Sequence, residues 1–158
     1  MCGFVTSLRG LALAALFLCY PVGQALAESN SGGFAKRVAG SYLIQHDTTG
    51  SRDVLTVNAD GTFLMTSSDS GVFHFGNSQG AWKRTGRRTI AAKVLNFDFD
   101  DNGVGITRFR IRFDRRYKKV SGRFSGIVVD AADPDPLEEE TVLFQFSDSF
   151  SGQRIAVD

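Results

Sequence analysis

In residues 104–114 the odd positions 109, 111 and 113 are apolar (Phe109, Ile111, Phe113), and the even positions 108, 110 and 112 are all arginine. A side-chain period of two belongs to a β-strand, whose successive residues point to opposite faces. The segment therefore asks for a sheet with one apolar side and one solvated side. The pattern returns in Val142, Phe144 and Phe146, and in weaker form along most of the chain.

Gly, Asn and Asp clusters cut the chain into eight strand-like segments: 38–47, 52–58, 62–67, 80–84, 89–100, 104–114, 119–130 and 141–147. A further short piece is expected at 72–75. Asp60-Gly61 and Asn102-Gly103 are hairpin signals, because a tight turn between twisted strands needs residues that accept positive φ. In 89–100 the apolar phase changes from Ile90, Ala92, Val94 to Leu95, Phe97, Phe99, which predicts a β-bulge near Val94. Nothing reads as a helix longer than two turns. Short connections favour a meander over a Greek-key sandwich. The expected fold is all-β, an eight-stranded antiparallel up-and-down barrel that removes its own edges and can hold one small ligand.

The ends differ from this middle. Residues 1–10 carry one cation, Arg9, and no acid; Leu11 to Tyr20 is almost wholly apolar; Ala25-Leu26-Ala27 is a small-x-small pattern. Together they predict a signal peptide over 1–27, cleaved before Glu28, and an exported product, periplasmic or extracellular. Ten apolar residues are too few for a stable membrane span. Cys19 raises a lipoprotein alternative, but Leu16-Phe17-Leu18 before it lacks the small residue such a signal wants. The division is then leader 1–27, flexible lead-in 28–37, barrel 38–147 and polar tail 148–158. Both cysteines, Cys2 and Cys19, fall in the leader, so the expected product has no disulfide and no thiolate, and its fold rests on apolar burial. Its 17 basic and 17 acidic residues balance.

Val38-Ala39-Gly40-Ser41-Tyr42, Leu55 to Phe63 with its Asn58-Ala59-Asp60-Gly61 turn, Gly80-Ala81-Trp82-Lys83-Arg84 and Phe97-Asp98-Phe99-Asp100 resemble the small exported bacterial barrels of the lipocalin-like (calycin) superfamily. In outline the chain is also similar to allene oxide cyclase and dirigent barrels. Tyr42 stands where lipocalins usually carry a tryptophan. The resemblance implies a barrel with an apolar cup and transfers no catalytic residue.

Three motifs carry less than they suggest. Gly76-Asn77-Ser78-Gln79-Gly80 fits a nucleophile elbow, but a strand follows where a helix is needed, and both histidines precede the serine. Asp98-x-Asp100-x-Asn102-Gly103 fits half a calcium loop, yet the twelfth position is Phe109 where a glutamate is required. His46 and His74, the only imidazoles, are too few for a three-ligand zinc site, so neither metal nor cofactor is expected. His46 alternates with Tyr42 and Ile44 and is the first candidate for acid or base chemistry, while Asp47 points to the other face.

Charge is segregated. Residues 83–93 hold five cations and no acid, residues 108–123 hold eight cations against Asp114, and residues 130–140 hold six acids. An anionic partner at Arg108, Arg110 and Arg112 is one consequence; nucleic acid is not expected, since no aromatics interleave these cations in a base-stacking pattern. Tyr42, Ile44, Trp82, Phe97, Phe99, Phe109, Ile111, Phe113, Phe144 and Phe146 form the candidate ligand-binding set, which either lines a cup or fills the barrel. The leading expectation is a non-catalytic exported barrel holding a small apolar or amphipathic molecule in its interior. The alternatives are a cyclase- or isomerase-type barrel enzyme and an envelope interaction or inhibitor module.

Overall fold

The computed structural model of the chain describes residues 25–156, apart from Asp101 and Glu140. The expected leader lies outside the described residues as far as position 24, and with it Arg9, both cysteines and the Leu11 to Tyr20 run. A helix α1 (Ala25–Val38) is followed by β1 (Gly40–His46), β2 (Arg52–Val57), β3 (Thr62–Ser67), a single 3-10 turn (Ser68–Gly71), β4 (Ser78–Gly86), β5 (Thr89–Asp98), β6 (Gly103–Phe113), β7 (Lys119–Asp130) and β8 (Val142–Arg154). Every strand pairs antiparallel with its sequence neighbour, and β8 returns to β1, from Tyr42 opposite Arg154 to His46 opposite Phe150. The fold is thus a closed eight-stranded up-and-down barrel without a free sheet edge.

Alternation decides the interior. Tyr42, Ile44, Leu55, Val57, Phe63, Ile90, Val94, Phe109, Ile111, Phe113 and Phe150 are each all but inaccessible and form one core. Ring meets ring along it: Phe63 and Phe109 have centroids 5.5 Å apart, Phe109 and Phe124 5.6 Å, Tyr42 and Phe113 5.6 Å. This half of the barrel is filled by its own side chains.

Four expectations need correction. First, a helix occupies the stretch expected to be a flexible lead-in over 28–37. Gly32 and Gly33 are poor helix formers, but Phe34 and Val38, one helical turn apart, bury themselves completely across the barrel end. Phe34 packs edge-on against Trp82 and Tyr117, each at 6.3 Å, with the Arg84 guanidinium 4.6 Å above its ring. This end, which carries the β2–β3, β4–β5 and β6–β7 turns, is therefore plugged.

Second, the last strand runs on to Arg154 rather than stopping at 147. Its outward positions Ser147, Ser149 and Ser151 look like a tail in sequence, but Phe150 points inward and the ladder to β1 needs these residues.

Third, there is no bulge at Val94. β5 pairs with β6 without a shift from Thr89 opposite Arg112 to Asp98 opposite Gly103. Leu95 and Phe97 stay on the outer face, where Leu95 and Ile127 pack on a second buried cluster of Val104, Ile106 and Val129. Glu139, ion-paired with Arg108 and 3.2 Å from Lys93 Nζ, draws the acidic loop across this face. The register shifts lie instead at Arg84/Gly86 and Val128/Val129.

Fourth, the expected short strand at 72–75 reduces to one bridge between Phe75 and Asp98.

Candidate functional site

The barrel's other end, which no α-helix covers among the described residues and which is termed the open end, is chemically different. Here the inward positions change from aliphatic and aromatic to polar: His46 on β1, Asp53 on β2, Ser67 on β3, Ser78 on β4 and Thr107 on β6, all buried. β1 and β2 are joined by a short turn, closed by the His46 amide donating to the Ser51 carbonyl at 2.8 Å. In the resulting register Asp53 faces Ile44 and Ser67, one inward step from His46. The His46 and Asp53 side chains meet, with Nε2 to Oδ2 at 2.8 Å. Thr49 Oγ1 lies 3.4 Å from the other ring nitrogen, and the imidazole packs on Phe124 at 4.8 Å between ring centroids.

This pairing pushes the His46 pKa up. The hydrogen bond to Asp53 is the largest cause; burial works against it, and the charges of Asp53, Asp148 and Asp69 add to it. The second Asp53 oxygen, Oδ1, has no hydrogen-bond partner, nor has Ser78 Oγ, although the two residues are 2% and 1% exposed. A buried carboxylate oxygen without a donor is costly, so Asp53 Oδ1 asks for a hydrogen-bond donor.

From this polar layer an aromatic series leads outward. Phe124 contacts Phe146 (6.2 Å), and Phe146 stacks on Phe144 (6.1 Å), which is 59% exposed at the rim. Val72, Phe73, Phe97, Phe99 and Leu143, all exposed, belong to the same end. An apolar rim thus surrounds a polar interior layer.

The ligand-binding residues expected from sequence are divided by the fold. Tyr42, Ile44, Phe109, Ile111 and Phe113 lie in the filled half; Tyr42 donates to the Val38 carbonyl at 2.8 Å, and burial raises its pKa to about 12. Trp82 sits at the plugged end, donating from Nε1 to the Asn58 carbonyl at 2.8 Å. Phe144 and Phe146 reach the mouth. Phe97 and Phe99 are exposed (66% and 68%) at the rim rather than inside, because β5 keeps its phase. Arg108 pairs with Glu139, while Arg110 and Arg112 stand exposed on the outer face.

Ser78 lies within a strand, buried and unbonded, not on an exposed elbow. The Asp98 carboxylate accepts from the Asp100 amide at 3.0 Å, as in a turn rather than a metal loop. His74 meets Asp100 at 3.0 Å on the surface. Among the described residues no three His, Cys, Asp or Glu side chains converge as a metal-binding set, and no helix is long and apolar enough to cross a membrane. Asp53 was not singled out in the sequence. Its signal was an aspartate in phase with Leu55 and Val57, one hairpin away from His46.

Fold and site together define a closed meander barrel, plugged at one end by a helix and holding a buried histidine–carboxylate pair beneath the other. Comparisons of the chain with protein-family models, with curated proteins and with solved structures find no match.

Proposed function

We propose that this protein is an exported, lipocalin-like carrier that holds an amphipathic small molecule at its open end without transforming it. The observation that carries this reading is the unpartnered Asp53 Oδ1, buried beneath an apolar rim. A head group that donates hydrogen bonds, above all a cationic amine, satisfies that oxygen; Asp148 and Asp69 add negative potential around it. Phe124, Phe146, Phe144 and the exposed rim take the apolar part. Because the other half of the barrel is filled, the ligand sits in the mouth and does not reach the barrel's full depth.

The test is an NMR titration of the full chain with dodecylamine, dodecanol and sodium dodecanoate below their aggregation concentrations. Dodecylamine is expected to shift His46, Thr107 and Phe146 and to bind at least tenfold more tightly than dodecanoate; Asp53→Asn removes that preference. Trp82, at the plugged end, stays silent. Failure of all three probes to perturb the mouth overturns the proposal.

The His46–Asp53 pair also favours a second reading, a cyclase- or isomerase-type enzyme in which His46, its pKa raised by the hydrogen bond to Asp53, serves as a general acid. Turnover of a bound polyunsaturated or epoxide probe that His46→Gln abolishes distinguishes this reading from the carrier.

A further inference from the structure

We infer that the outer face of β4–β8 is a second binding site, for a slender acidic glycan chain bearing sulfate, phosphate or uronate groups. The register carries the argument. One row across the sheet reads Lys83, Ala91, Arg110, Arg123, Ser149, and the next reads Ala81, Lys93, Arg108, Ser125, Ser147. Arg110 stands directly opposite Arg123, and Lys93 directly opposite Arg108. Like charges directly opposed on one face of a sheet destabilise it, so these pairs need an anion.

Glu139 answers one pair, contacting both Lys93 and Arg108. Among the described residues Arg110, Arg123 and Lys83 have no carboxylate within ion-pair distance. Asp148 borders the area, but its carboxylate is committed to Thr48, at 2.8 Å from the hydroxyl and 3.2 Å from the amide.

Shape selects among polyanions. Ala81, Ala91, Ser125, Ser147 and Ser149 form a low floor between the long cationic side chains, and the depression measures about 960 Å³. A recessed floor on the flank of a barrel suits a narrow chain better than a planar bilayer. The row offers no exposed aromatic ring on which bases would stack, which disfavours single-stranded nucleic acid. Charges repeat across adjacent strands about 4.8 Å apart, so a polymer with a charge on each residue meets several cations at once.

The experiment measures binding of the full chain to a heparin-derived dodecasaccharide, duplex DNA and phosphatidylcholine vesicles with or without phosphatidylglycerol, at several salt concentrations. The oligosaccharide is expected to bind most tightly, with affinity falling steeply as salt rises. Arg110→Gln with Arg123→Gln is expected to weaken it at least tenfold. The control pair Arg115→Gln with Arg116→Gln, on the β6–β7 turn, changes it less than threefold. Folding is checked independently: removing opposed cations leaves the melting temperature unchanged or higher, and the oligosaccharide raises it in the wild type but not in the Arg110/Arg123 variant. Equal binding by the Arg110/Arg123 variant and the wild type, or tighter binding of DNA or anionic vesicles at equal salt, overturns the inference.

Discussion

Asp53→Asn removes the charge from the buried pair while keeping its shape and one acceptor oxygen for His46, and its effect on stability must depend on pH. The folded His46 pKa lies above its ordinary value of 6.5, chiefly through the Asp53 hydrogen bond. A raised pKa means that the folded state holds the proton more tightly than the unfolded chain. The associated stability is complete below the unfolded value and is lost as pH rises through the folded one. A hydrogen bond to a charged partner contributes about 1.5–3 kcal/mol against about 0.5–1.5 kcal/mol for a neutral one, so at pH 5.5 the substitution costs about 1–1.5 kcal/mol. For a chain of this size that is a fall in melting temperature of about 3–5 °C. Above the raised pKa His46 is neutral in the wild type as well, and the gap narrows. Thermal melts of both proteins at half-unit steps from pH 5.5 to 9 read this directly. His74→Gln is the control: its pair with Asp100 is more than half exposed and contributes little. A gap between Asp53→Asn and wild type that is constant, or that widens with pH, refutes the reasoning.

Phe34→Ala should undock α1, because truncating a buried phenylalanine costs about 3–5 kcal/mol. Trp82, the only tryptophan and an edge contact of Phe34, reports this by a red-shifted emission; unchanged emission would mean that the helix does not plug the barrel. Gly80→Ala places a methyl group against the Lys93 carbonyl and the Val94 Cα, backbone that cannot swing aside, and should cost about 1–3 kcal/mol in urea unfolding. Gly126→Ala meets only the outer end of the Phe146 ring, so it should cost less while shifting the mouth resonances; the opposite ranking would count against the close packing described for β4 and β5.

Strand number, order and turns were legible because each segment carries its own alternation and its own Asp-Gly, Asn-Gly or similar break. What alternation cannot supply is the identity of whatever covers an outer face. Leu95 and Phe97 looked like a change of phase because two apolar residues on the solvent side have no local justification. Leu95 finds its partners across the sheet, in Val104, Ile106 and Val129, while Phe97 stays exposed at the rim. The helix was hidden for a similar reason: Gly32 and Gly33 argue against it locally, and only docking of Phe34 and Val38 overrides them. His46 was legible as an inward imidazole. Its partner was not, because the neighbour Asp47 drew the comparison while the true partner lies across a turn. Pairing in a sheet is set by register, and register places Asp53, seven positions on, beside His46.

Register also turns a featureless net charge into an axis. In a meander the turns after odd strands gather at one end and those after even strands at the other. Arg87, Arg88, Arg115, Arg116 and Lys118 therefore share the plugged end, whereas Asp47, Asp69, Asp100, Asp133, Asp135 and Glu138 share the open one. The field of such a barrel would favour a cationic head group at the mouth and a polyanion on the basic flank. The acidic loop joins them, since Glu139 neutralises the pair Lys93 and Arg108 that borders the glycan row. Occupancy of the flank by a polyanion strong enough to displace Glu139 would release that loop from Lys93 and Arg108. Such release, not any contact between the ligands, would be the physical route between the two proposed sites.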